Sequence, residues 1–288
     1  MDNQIKLGQM NILEIDRLTD PGIYLIAKDG EVVLLPNLYV TPEMSVGKHI
    51  EVFVYSDSED RIVATTLKPA GVVGDYVALK VVDTMKYGAF MDWGLAKDLL
   101  IPQKFQKTIY NIGDTKVVKI IEHIESDRLY GTEKFGEFLS DDLTSLKRNQ
   151  EVQLMVFQKT PLGYKVLIAE ENEFQFEGMI FHNEIFQPLE IGQKLNGFIK
   201  HIRNDRKIDI SLQPFGKKVK KIGASKIIEI LKENSGKMDF TYKSDSENIV
   251  NTFEMSKKVF KKSLTELIDK SVIKLNPNNI ELIRSSKI

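Results

Sequence analysis

The chain has 288 residues, 42% of them hydrophobic and 28% charged, a balance that allows packed cores, exceeds one domain of ordinary size and excludes a disordered polypeptide. It contains no cysteine, which excludes disulfides, thiolate zinc sites and a cysteine nucleophile together. The net charge of -1 hides a gradient: residues 1–142 carry 15 Lys+Arg against 23 Asp+Glu, residues 143–213 carry 9 against 9, and residues 214–288 carry 16 against 9, giving -8, 0 and +7. Lys and Arg supply the salt-sensitive contact to phosphates, so polyanion binding is expected toward the C-terminal end. The plainer alternative is a solvated cationic surface. The start MDNQIKLGQM lacks the features of a signal peptide, and no apolar run reaches the roughly 18 residues of a membrane span. A cytoplasmic protein without a membrane partner is expected.

Along the first two thirds a unit recurs. VGKHIEVFVYSDSEDRIVATTLKP from Val46, IGDTKVVKIIEHIESDRLYGTEKF from Ile112 and IGQKLNGFIKHIRNDRKIDISLQP from Ile191 each open on an apolar residue and glycine (Gly47, Gly113, Gly192) and run on as a strand. Each then turns at an Asp-Arg pair: Asp60-Arg61, Asp127-Arg128 and Asp205-Arg206. These aspartates are expected to shape turns rather than perform chemistry. Upstream lie strand pairs around Gly22, Gly88 and Gly163, then the apolar stretches VVLLP, DLLIP and GMIFH. About five short strands in roughly 60 to 75 residues is the size of an OB-fold barrel, which presents one face and its loops to oligonucleotides. Three such barrels are expected, over residues 1–69, 70–142 and 143–215.

Beyond Gln213-Pro214 helical periodicity replaces alternation. Residues 216–221 read as a basic linker, Ser225 as the cap of a helix containing Ile227, Ile228 and Leu231, and Asn234-Ser235-Gly236 as its stop. A strand over Met238–Tyr242 precedes a second helix, with Ser244 and Glu247 at capping-box spacing. A third helix starts at Ser256, with Val259, Phe260, Leu264 and Leu267 on one face and Lys257, Lys258, Lys261 and Lys262 on the other. Ile273–Leu275 and Ile280–Ile283 flank the turn 276–279 as a hairpin. Helix, strand, two helices and hairpin make a winged helix, expected over 222–288, whose last helix commonly contacts nucleic acid. The expected fold is therefore mainly β with a C-terminal α+β module.

The repeats resemble the S1 domain, an RNA-binding OB-fold. The second matches its first element with Tyr87, Gly88, Ala89, Phe90 and Met91; the third matches the later ones with Gly178-Met179-Ile180-Phe181-His182 and Arg206-Lys207-Ile208-Asp209-Ile210-Ser211-Leu212. Pro36 and Pro102 stand near the histidine position in the first two repeats. Three barrels followed by a winged helix resemble the conserved virulence factor B family of bacterial RNA-binding regulators. That resemblance implies post-transcriptional, virulence-linked control, with the third barrel and winged helix as the binding region.

Single strands are held by cations beside aromatic rings on which bases stack. The nucleic-acid-binding candidates are Tyr87 and Phe90 in the second repeat; Tyr164, Lys165, Phe181, His182, Lys200, Arg203, Arg206 and Lys207 in the third; and Lys257, Lys258, Lys261 and Lys262 in the last helix. Tyr164 and Phe181 fit a barrel core equally well, because strands bury alternate residues. Catalytic features are absent: His49, His123, His182 and His201 lack metal-ligand spacing, and neither GxxxxGK[ST] nor GxGxxG occurs. No catalytic residue, metal or cofactor is expected. Single-stranded RNA is the expected partner, with DNA, read as a transcriptional regulator, or the ribosome as alternatives.

Overall fold

The computed structural model describes all residues except 124–127, 186, 214–216 and 284–288, and describes 217–222 by their backbone. The chain divides into two compact units, Met1–Leu139 and Ser140–Ile288.

The first unit holds two closed barrels. Barrel 1 comprises β1 (Met10–Thr19), β2 (Gly22–Ile26), β3 (Val32–Pro36), β4 (His49–Ser56) and β5 (Ile62–Thr65); barrel 2 comprises β6 (Tyr76–Met85), β7 (Gly88–Asp92), β8 (Leu99–Pro102), β9 (Thr115–His123) and β10 (Arg128–Thr132). Barrel 3, in the second unit, comprises β11 (Glu151–Thr160), β12 (Gly163–Glu170), β13 (Glu173–Phe181), β14 (Lys194–Ile202) and β15 (Ile208–Ser211). All three share one cyclic strand order, first-second-third-fifth-fourth.

The repeated glycines explain why the topology recurs. Gly47, Gly113 and Gly192 have φ of 85, 92 and 86°, a region costly for any residue with a Cβ. Each donates its N–H to a first-strand carbonyl, that of Ile15, Val81 or Val156, at 2.8, 2.9 and 2.7 Å. Those carbonyls sit where the first strand bulges, after Ile15, Val81 and Val156. At Gly22, Gly88 and Gly163 a Cβ would fall 2.1, 2.6 and 2.0 Å from the carbonyl oxygen of Leu35, Ile101 or Ile180. The third strand can approach the second only over glycine.

Within the first unit, the second half of β4, from Val52 to Ser56, is buried on both faces. Val52 and Val54 fill the core of barrel 1, while Phe53 and Tyr55 join the core of barrel 2; the rings of Phe53 and Trp93 meet edge-on at 5.7 Å. In the turn after β4, Asp60 takes the left-handed place and its N–H donates to the Asp57 carbonyl at 3.0 Å, while the Asp57 carboxylate, which the sequence reading did not single out, accepts from the N–H groups of Glu59 and Arg61 at 2.9 and 3.0 Å. The Asp60 carboxylate pairs with Arg128 and Lys97 of barrel 2. In the third repeat the left-handed residue is Arg206, at φ 62°, whereas in the first it is Asp60, at φ 60°. Asp127 lies outside the described residues.

The C-terminal module has α1 (Lys217–Glu233), β16 (Lys237–Met238), α2 (Ser246–Phe253), α3 (Lys257–Asp269), β17 (Ile273–Leu275) and β18 (Ile280–Leu282), the strands pairing in the order β16-β18-β17. Residues 217–221, expected as linker, belong to α1, and Ser225 is internal rather than a cap. The cause is close helix packing: a Cβ on Gly223 would sit 2.3 Å from Ser263 Oγ of α3. Pro214 and Gly216 lie outside the described residues. The expected strand Met238–Tyr242 shortens because Phe240 and Tyr242 turn into the core around Phe253 and Phe260. Asp245 caps α2 by accepting from Glu247 N–H at 2.7 Å, while Ser244 Oγ accepts from Thr241 N–H. Ser256 caps α3 through Val259 N–H at 3.3 Å, as expected.

Candidate nucleic-acid interface

Barrel 3 carries a cleft of about 390 Å³ that gathers Lys165 of β12, Met179 and Phe181 of β13, and Arg203, Arg206 and Lys207 of the β14–β15 turn. These elements correspond to the second and third strands and the last loop of an OB-fold, the surface that such barrels offer to oligonucleotides. Alternation puts the residues there: Val166 and Ile180 point into the core, so Lys165, Met179 and Phe181 point outward.

The charges of the cleft are largely compensated. Lys165 Nζ lies 2.8 Å from Glu177, Arg203 Nη2 lies 2.9 Å from Asp209, and Lys207 Nζ lies 3.0 Å from Asp205. The hydrogen bond from Lys207 holds the Asp205 carboxyl below the ordinary aspartate value. The Arg203 guanidinium carbon also lies 5.5 Å from the Phe181 ring centre, within cation–π range. Among the described residues, Arg206 has no ion pair.

The remaining candidates separate. Tyr164 is 7% exposed and belongs to the barrel core, which leaves Phe181 as the aromatic ring that lines the cleft among the described residues. His182 is exposed at the start of a short turn, its ring 6.4 Å edge-on from Tyr164, and does not line the cleft. Lys200 is tied to Glu184 by an ion pair. On α3, Lys258, Lys261 and Lys262 are exposed and Lys257 half-buried, and among the described residues none of the four has an ion pair. Phe260, Leu264 and Leu267 are buried behind them.

Barrel 2 offers another face. Tyr87 is 60% exposed and meets Phe90 edge-on at 6.0 Å. Strand pairing extends this pair into a row, Phe90 beside Leu100, Leu100 beside Tyr130. Phe105 and His123 approach Tyr130 at 6.3 and 5.8 Å, and Lys104 lies over Phe105 at 4.9 Å. Sequence reasoning missed Tyr130, Phe105 and His123, which lie in separate segments; an outward aromatic on β10 was the available signal. The same row in barrel 1 runs Tyr24, Leu34, Val63, Tyr55. There Arg17 covers Tyr24 at 4.3 Å and barrel 2 covers Val63 and Tyr55.

Among the described residues, no group of three or more His, Asp or Glu is arranged to hold a metal ion, and no helix is long and apolar enough to cross a membrane.

This combination of closed barrels and winged helix defines a protein of nucleic-acid-binding domains. The S1 domain matches residues 7–67 and the CvfB-like winged helix domain residues 225–282. The chain is a homologue of the conserved virulence factor B proteins over nearly its whole length: the Staphylococcus saprophyticus protein of that name is 22% identical over 98% of this chain and 96% of its own. Bacillus subtilis YitL, whose name marks it as uncharacterized, is 26% identical over 93% of this chain and 90% of its own. A crystal structure of a multidomain protein with nucleic acid binding domains from Streptococcus pneumoniae aligns with a TM-score of 0.44 and 24% identity, covering 96% of this chain and 98% of that one.

Proposed function

We propose that this chain is a cytoplasmic, non-catalytic RNA-binding protein, a post-transcriptional regulator that holds single-stranded RNA on barrel 3 and the winged helix. The domains at work are 143–215 and 222–288, with 1–69 and 70–142 as the N-terminal pair. The observation that carries the reading is the different fate of the arginine in each of the three Asp-Arg pairs. Arg61 is engaged by Asp57 within its own turn, and Arg128 by Asp60 of the neighbouring barrel. Arg206, in a cleft beside Phe181, has no ion pair among the described residues. A ring for stacking next to an unneutralised guanidinium suits a base and its phosphate. The lysines of α3 would extend the contact along the strand.

Titration against single-stranded RNA, the matching DNA strand and duplex DNA of equal length, at fixed salt, tests this. RNA is expected to bind most tightly, with affinity falling steeply as salt rises. Duplex binding that equals or exceeds it would favour a DNA-binding regulator, for which the winged helix supplies the physical basis.

A further inference from the structure

Glu254 is the residue that closes α2, and its backbone is left-handed, at φ 48° and ψ 40°. Glycine or asparagine is the low-cost choice at such a position. Its N–H caps the helix by donating to the Val250 carbonyl at 2.8 Å, but that bond requires no carboxylate. The rest of the residue is held from three directions. Its carboxylate pairs with Lys226 of α1 and accepts from Gln187 Nε2 of barrel 3 at 3.1 Å. Its carbonyl oxygen accepts from Gln213 Nε2, just after β15, at 2.8 Å. The hydrogen bond from Lys226 holds the carboxyl below the ordinary glutamate value. Two amides of the barrel thus grip the turn from which α3 departs, three residues before Lys257.

We propose that Glu254 is a positioning residue: it latches the winged helix to barrel 3 so that the α3 lysines and the barrel cleft address one strand. This rests on the reading that both modules contact the same RNA. A rigid junction raises the effective concentration of the second module once the first has bound. A loose one forfeits that gain without removing any contact to RNA.

Two variants isolate the latch. Glu254→Gly suits the left-handed backbone and keeps the helix cap while removing the carboxylate. Gln213→Ala releases the grip from the barrel side and leaves the winged helix untouched, so the test survives if the first variant fails to fold. Because the chain lacks cysteine, spin labels can be placed through Glu173→Cys and Lys274→Cys, both exposed, in the full-length protein without RNA. The distance distribution should be narrow in the parent and broad in either variant. Affinity for an RNA of about twelve nucleotides should fall by about fivefold, while affinity for one of about four, enough to fill a barrel, should not change. Unchanged distance distributions in both variants would overturn the latch, and so would broadened distributions with full affinity for the long RNA. If the parent bound RNA of neither length, the functional reading would fail, and the distance measurement would still decide whether Glu254 holds the modules together.

Discussion

Arg61, Arg128 and Arg206 are the arginines of the three Asp-Arg pairs, and what each can do depends on the carboxylates its turn or neighbour supplies. Arg206→Ala should weaken RNA binding and reduce the salt slope by roughly 0.7, the value of one phosphate contact on a single strand. Arg61→Ala should leave both unchanged, measured in the same salt series. Asp60 carries a second expectation. The hydrogen bond from Arg128 depresses its carboxyl below the ordinary value, so its contribution to stability is full above the unfolded-state pKa of about 3.9 and lost as pH falls through the lower folded value. Asp60→Asn should therefore lower the midpoint of thermal unfolding slightly at neutral pH, and the two midpoints should converge in acid. A difference that persists there would assign the effect to something other than the ion pair. Of these roles, the availability of Arg206 was legible as a basic residue beside an outward strand. The capture of Arg128 was not, because Asp60 lies in another barrel, 68 residues away.

At the scale of elements, alternation and glycine placement made the barrel strands legible, since both follow from local backbone geometry. The start of α1 was misread: residues 217–221 look like a basic linker in sequence but belong to the helix, which passes close to Ser263 at Gly223. Gly223→Ala should destabilise the winged helix by about 1–3 kcal/mol through overpacking, despite the higher helix propensity of alanine; denaturant unfolding measures it, and a gain in stability would mean the helices can part. The cap of α2 was misplaced by one residue because Ser244 and Asp245 both satisfy the local pattern, and tertiary packing chooses between them. The lysine face of α3 was read from helical periodicity alone. Replacing Lys257, Lys258, Lys261 and Lys262 together by Ala should weaken binding of long RNA and flatten its salt slope by up to about 3. Oligomers that fill only the barrel should hardly notice; equal loss at every length would mean that the two modules bind separately.

For the whole molecule, the charge gradient read from sequence predicts where RNA binding is concentrated. Residues 143–288 should retain most of the RNA affinity and residues 1–142 alone should bind weakly, as measured with the two fragments at matched salt. Dominant binding by the N-terminal fragment would move the principal site to the aromatic row of barrel 2. That row was only half legible, since its members are assembled by strand register from four segments. The docking of barrels 1 and 2 was not legible at all, because nothing in the alternation of β4 says that its second face meets Trp93. The segment Val52–Tyr55 is a run of β-branched and aromatic residues without charge or proline, the type of sequence that stacks into fibrils when left bare. During synthesis barrel 1 emerges first, with Phe53 and Tyr55 still lacking the surface that covers them. Barrel 2 thus shields a strand that its predecessor leaves bare, and a fragment ending before barrel 2 should aggregate more readily than one that contains both, as light scattering would measure.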